Sequence, residues 1–404
     1  MRATSAVLLE VLRVQLWVVP AIAALIAAAF AVVLAWFDGA TASLGLPLDI
    51  DADSARAVLS AISGAMISFT ALVFSVTMLV LQTASTQLSP RVVRTFLRDR
   101  FNQVVMGLFV ATFVFSLLML TAVSEAHVPQ LGVLVAVGLV LVAVMAFVVY
   151  IDHMAHDIRP TSVIESITDE TRSVIERVYP EGAEVAPVER NAAGSESDAN
   201  GLEVIWSGPA GYVQAFDQKG LLAFADERGA AVELHAGIGQ FLVTGRPLLT
   251  ARGRQGPSTT AAEAGLEDHV HVGPERTMTE DPEFGFRQLV DVALRALSPS
   301  LNDPSTASQV VNRLHELLLA LQPRDIPSPV VLREGTAPPV IVPAPDWDAY
   351  VHLATSEIGA ASRTLPQVRQ HVAQMIGSLL REATPEQRAA LRRAQAELEG
   401  LDSA

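Results

Sequence analysis

Four stretches in the first 151 residues run without a Lys, Arg, Asp or Glu: Val14–Phe37, Ala57–Pro90, Phe101–Ser124 and Ala126–Ile151. A helix rises about 1.5 Å per residue, so about 20 apolar residues cross a hydrocarbon core of about 30 Å. Each stretch is long enough, and the pattern predicts transmembrane helices over 14–37, 57–83, 102–124 and 129–151. The first run is too long for the apolar core of a signal peptide, about 7–15 residues. Trp17 and Trp36 also stand near its two ends, where interfacial aromatic anchors belong.

The second stretch is the unusual one. Its end, Gln82 to Ser89, is uncharged but polar. Along it Ser60, Gly64, Ser68, Ala71, Ser75, Met78 and Gln82 recur at three- and four-residue spacing, which places them on one helix face. Such a face suits two roles, a small-residue packing seam between helices or the lining of a water-filled path in an oligomer. No ionisable residue lies within a span except at its ends, which argues against a proton-coupled transporter or a voltage sensor.

After Tyr150 the pattern changes to that of a water-exposed α+β domain. A helix follows Pro160, with Ile164, Ile167, Thr171, Val174 and Val178 on one side, and Pro180 ends it. Residues 181–200 lack apolar periodicity and read as a surface loop. Strands are expected at 202–206, 212–216, 231–235 and 240–243, with a helix over 219–228 that stops at Gly229. Together they predict a small, β-rich, sandwich-like module. The rest is mainly helical: 284–297, 304–321, and helices near 347–362, 366–382 and 385–399. A proline-rich connector, 322–345, carries two short strands at 330–332 and 340–342.

Charge sharpens this division. Over the whole chain the net charge is −15. Residues 1–150 hold seven Arg and seven acids, so the excess belongs to the part after Tyr150, with 21 basic and 36 acidic residues. Such an acidic chain is no counterion-releasing nucleic-acid binder, and its lack of cysteine removes disulfides, thiolate metal sites and thiol catalysis. Arg91, Arg94, Arg98 and Arg100 crowd the loop between the second and third spans, whereas Asp38–Asp53 carries four acids and no base. By the positive-inside rule the arginine loop is cytoplasmic, and alternation puts both termini there too. The same arginines are candidates for contact with lipid headgroups, or for coupling the spans to the cytoplasmic domain.

Chemistry is sparser. Arg287, Asp291 and Arg295 form a polar line on the helix 284–297, otherwise apolar nearly all round, with Glu275, Arg276 and Asp281 upstream and Asn302 and Asp303 downstream. Buried charges must pair. The block is therefore either a structural ion network or a site where two guanidiniums grip a phosphate or carboxylate, helped by the helix N-terminus after Asp303. His153 and His156, three apart at the last membrane exit, are weak metal candidates, as are the alternating His269 and His271. Walker, His-Glu-x-x-His and Gly-x-Ser-x-Gly motifs are missing, so no catalytic residue and no cofactor is assigned.

Two resemblances add to this. Gly237–Gly245 followed by Pro247 is similar to the turn of lipoyl-like sandwich folds, without a lysine to modify, since Lys219 is the chain's single lysine. Ser89–Arg100, Gly273–Thr277 and Phe284–Pro304 resemble the bacterial predicted-membrane-protein family called domain of unknown function 2254. That resemblance implies a bacterial inner-membrane protein with a four-span plan, and no reaction or substrate. Two functions follow as expectations. The first is a homo-oligomer with a channel- or transport-like membrane part controlled by the cytoplasmic domain. The second is a membrane-anchored sensor or scaffold that binds a small anionic ligand or a protein partner.

Overall fold

The computed structural model describes residues 17–41, 50–87, 100–125, 127–157, 159–181, 201–252, 259–261, 265–333 and 338–400. The chain divides into two units between Ser162 and Val163. The surface loop expected at 181–200 lies, after Glu181, outside the described residues.

In the first unit the apolar stretches form α1 (Val18–Thr41), α2 (Ala52–Gln87), α3 (Arg100–Ala122) and α4 (Gln130–Asp157). All four are long and apolar enough to cross a membrane. α2 begins ahead of the expected residue 57 because Asp51 caps it, accepting the Ser54 N–H at 3.0 Å. α3 packs against α1, α2 and α4 and buries the largest share of its surface. Phe109, Phe115 and Met119 of α3 are accordingly fully buried. Gly107 admits α1, since a Cβ there would stand 3.3 Å from that of Ala23.

Thr77, Asn102 and Tyr150 meet inside this bundle. Thr77 Oγ1 lies 2.8 Å from the Val73 carbonyl, 3.0 Å from the Tyr150 hydroxyl and 3.4 Å from Asn102 Oδ1. Tyr150 donates to that same carbonyl at 3.2 Å. This cluster ties α2, α3 and α4 where no water competes for the bonds.

The second unit opens with α5 (Pro160–Val178), whose buried side carries Ile164, Ile167, Thr171, Val174 and Ile175. Beyond it come β1 (Leu202–Ile205), β2 (Gly211–Phe216), α6 (Gln218–Arg228), β3 (Ala231–Leu234), β4 (Phe241–Leu242), β5 (Pro247–Arg252), β6 (Thr259–Thr260) and β7 (Val270–Gly273). Much later β8 (Val330–Leu332) and β9 (Val340–Val342) return to the same module. One sheet has the order β6-β1-β5-β3-β9-β8 and the other β4-β2-β7. Alternating residues of both sheets, with Leu221 and Phe224 of α6, form one core around Val204, Trp206, Leu234, Leu248 and Val340. The pairing of β3 with β9 is parallel, Val232 opposite Val340.

Between the module's seventh and eighth strands lie α7 (Pro282–Ala296) and α8 (Pro304–Leu321); α9 (Trp347–Ala361), α10 (Pro366–Glu382) and α11 (Pro385–Gly400) follow. The main packing runs in the cycle α10, α8, α7, α9, α11 and back to α10, and α9 also touches α8 and α10. Tyr350, Phe286, Leu314 and Leu379 are buried within it. Both α7 and α8 start with an Asp cap followed by proline, Asp281-Pro282 and Asp303-Pro304.

Candidate functional site

On α2, Ser60, Gly64, Ser68, Ala71, Ser75, Met78 and Gln82 are all exposed. Ala55, Leu59, Ile62, Ser63, Met66, Val73, Thr77 and Val80 are buried. At about 100° per residue the two sets fall on opposite poles of the helix. The small and hydroxyl-bearing pole therefore faces away from α1, α3 and α4 and makes no packing seam with these three helices. A Cβ built on Gly64 would meet nothing within 4 Å. The Ser68 hydroxyl turns back along its own helix and donates to the Gly64 carbonyl at 3.2 Å. Bulky side chains are also exposed: Ile67, Phe74 and Leu79 beside this face on α2, Ile22, Leu25, Ile26 and Phe30 on α1, and Leu141, Val142, Met145 and Val148 on α4.

The charged block of the second unit resolves into ion pairs. Arg276 donates through Nε and Nη2 to the two oxygens of Asp281, both at 2.8 Å, and through Nη2 to Glu283 at 3.0 Å. Burial works to depress the Arg276 guanidinium, and these carboxylates outweigh it, holding it above its usual range. Arg287 pairs with Glu357 of α9 and, at 2.8 Å, with Asp291 one turn along α7. The bond to Glu357 is the main force raising Arg287, and it lowers Glu357 in return.

The other members of the block occupy different places. Arg295 is exposed near the end of α7 and does not continue the Arg287–Asp291 line inward. Glu275 is also exposed; its backbone carbonyl accepts Gln214 Nε2 at 2.7 Å. Asn302 takes a left-handed φ of 47° in the turn between α7 and α8. Asp303 caps α8, accepting from the Ser305 and Thr306 N–H groups at 3.1 Å. The Thr306 hydroxyl leads in lowering its carboxyl.

Three contacts in this region had no forewarning in sequence. Gly239, at φ 80°, lies directly on the Arg276–Asp281 pair, where a Cβ would collide with both side chains. Gly285 of α7 lies as closely on Thr171 of α5. Tyr179 and Tyr350 share a bond between hydroxyls at 3.3 Å, and burial pushes both phenols above their usual range. All three join residues far apart in the chain, beyond the reach of local periodicity.

The histidine candidates separate. His153 stacks edge-on to Phe101 with ring centres 4.6 Å apart, while the side chain of His156 lies outside the described residues. His269 sits in a 3-10 turn before β7, with Nδ1 2.9 Å from Asp217 Oδ2, and only His271 is on the strand. The expected alternation of these two along one strand is thereby corrected. Among the described residues no three His, Asp or Glu side chains gather as a metal cluster. Arg91, Arg94 and Arg98 lie outside the described residues; Arg100 is exposed at the start of α3.

A family described as predicted membrane protein (DUF2254) matches residues 13–378. The chain belongs to this family. It is also similar to uncharacterized proteins of Mycobacterium tuberculosis (strains CDC 1551 / Oshkosh and ATCC 25618 / H37Rv) and Mycobacterium bovis. Identity is 32% over 390 residues, covering 92% of this chain and 73% of each relative. No solved structure matches. Membership in the DUF2254 family makes this a membrane protein, and α1–α4 are its candidate spans.

Proposed function

We infer that the chain is one subunit of a homo-oligomer in the bacterial inner membrane, whose α2 helices line or frame a channel- or transport-like path. The acidic part after residue 151 lies on the cytoplasmic side, with both termini, and controls that path. One observation carries this reading: the small, hydroxyl-bearing pole of α2 is exposed, opposite the residues that pack on the other three helices of its unit. Against acyl chains such a pole forfeits the dispersion contacts that Leu or Phe would make. Against a second protein helix, or against water, it is well suited. The arginine-rich loop at 91–100 supports the orientation. Binding of a small anion at the charged block has weaker support, because Arg276 and Arg287 already hold two carboxylates each.

The chain's lack of cysteine makes the test direct. Single Ser68→Cys or Ser75→Cys proteins, oxidised in membranes, are expected to give a disulfide-linked dimer, and Leu141→Cys on the bulky face of α4 is not. Proteoliposomes of the same proteins are expected to pass ions or small solutes and to lose that flux on thiol modification at Ser68→Cys. Intact flux after complete modification, or no flux under voltage, tension or osmotic shock, overturns the path.

A further inference from the structure

We propose that β4 is an edge at which two copies of this chain pair their small sheets, forming a second interface outside the membrane spans. β4 is the outermost strand of the sheet β4-β2-β7, with Gly211 and Tyr212 of β2 on its inner side. Among the described residues no strand covers its other side. Phe241 is 54% exposed and Val243 45%, the two most exposed large hydrophobic residues described in the second unit. Tyr212 braces Phe241 edge-on at 5.1 Å. An open strand edge bearing apolar residues is a template for another strand.

Charge decides which partner fits. Asp and Glu are absent from Leu234 through Ala262 and from Ser207 through Phe216, within a part of the chain that holds the whole excess of −15. Two copies of so acidic a domain repel one another over most of their surfaces. They can meet most closely where a strand carries no acid of its own, as here, and Asp281, which lies against neighbouring Gly239, is neutralised by Arg276. The opposite edge, β7, is guarded by contrast: Asp268 and Glu275 flank it and His271 is exposed on it. A lipid surface satisfies Phe241 and Val243 but leaves the strand's outward N–H and C=O groups without partners. A second β4 answers both needs, and a two-fold axis makes the contact self-complementary.

The patch alone is smaller than the interface of a stable dimer. It therefore rests on the oligomer inferred above, which holds the copies at high effective concentration. In full-length protein in bilayers, Phe241→Cys and Val243→Cys are tested by oxidation and by a short bis-maleimide, with exposed Gln374→Cys as control. At least one of the two is expected to double in apparent mass on a non-reducing gel, and the control is not. Adding Val243→Glu to Phe241→Cys should abolish its dimer. Failure of both β4 cysteines overturns the inference, as does a dimer that survives Val243→Glu. Ser68→Cys, run in parallel, separates the two readings. A dimer there without one at β4 defeats this inference alone, a dimer at β4 alone defeats the α2 seam, and none at either defeats both.

Discussion

Asp281 holds Arg276 with both of its oxygens while Oδ1 also accepts the Phe284 N–H at 3.0 Å, so one carboxylate caps α7 and neutralises a half-buried guanidinium. At 4% exposure it has little access to water. Gly239 closes over the pair from the β module. The module and the start of the helical cycle thus meet on an ion pair, and the absence of a side chain at Gly239 lets them approach.

Asp281→Ala removes a cap and strands Arg276 together. Loss of a cap costs about 1 kcal/mol and loss of one partner of a buried pair about 3 or more. The substitution is expected to destabilise the second unit by about 3 kcal/mol, read as a lower denaturation midpoint of the detergent-solubilised chain. A midpoint within experimental error of the parent would show that Arg276 finds other partners.

Gly285→Ala is expected to cost about 1–3 kcal/mol, because its new Cβ meets the Thr171 side chain. Combining it with Thr171→Ala should recover part of that loss. A double-mutant cycle measures the coupling, and strictly additive effects would place the strain elsewhere.

Two carboxyl shifts of opposite sign predict the pH response. The Glu357 carboxyl is lowered, first by its bond to Arg287. Its contribution is present above the ordinary carboxylate range and is lost as pH falls through the lowered value. Glu280 is raised, first by burial, so ionisation costs more in the folded state. Stability therefore falls as pH rises from the ordinary glutamate range through the raised value, and the deficit persists above it. Glu280→Gln should stabilise the protein at pH 7 and have no such effect below pH about 4. Equal gains at both pH values would mean that its burial is not electrostatically costly.

In the membrane unit, Tyr150→Phe removes a hydroxyl that contacts both Thr77 and the Val73 carbonyl. Hydrogen bonds between spans average about 0.6 kcal/mol. Bonded to two oxygens on α2, this hydroxyl is expected to contribute about 1 kcal/mol, measurable as a shift in unfolding by SDS. No shift would mean that Thr77 and Asn102 re-form the cluster without it.

Local signals carried the elements well. Hydropathy marked the four apolar helices, Asp303-Pro304 marked the start of α8, and the connector's strands fall at 330–332 and 340–342. The small-residue face of α2 was visible as a face, but its exposure was not, because periodicity says which residues share a side and not what covers it. Arg287 meets Asp291 at helical spacing, but its other partner, Glu357, is seventy residues on, and no spacing rule reaches that far. Thr77, Asn102 and Tyr150 come from three separate helices, and their meeting depends on how those helices pack. Sheet order was hidden for the same reason.

The parallel pairing of Val232 with Val340 also sets a timetable for synthesis. A ribosome adding about 5–20 residues per second needs roughly 5–20 s after making β3 to deliver the strand that lies beside it. Through that interval one side of β3 stays open in the nascent chain, while α7 and α8 have already emerged. The β module is begun early and finished late, and a chain truncated before residue 340 would leave its central sheet ajar however sound the helices around it.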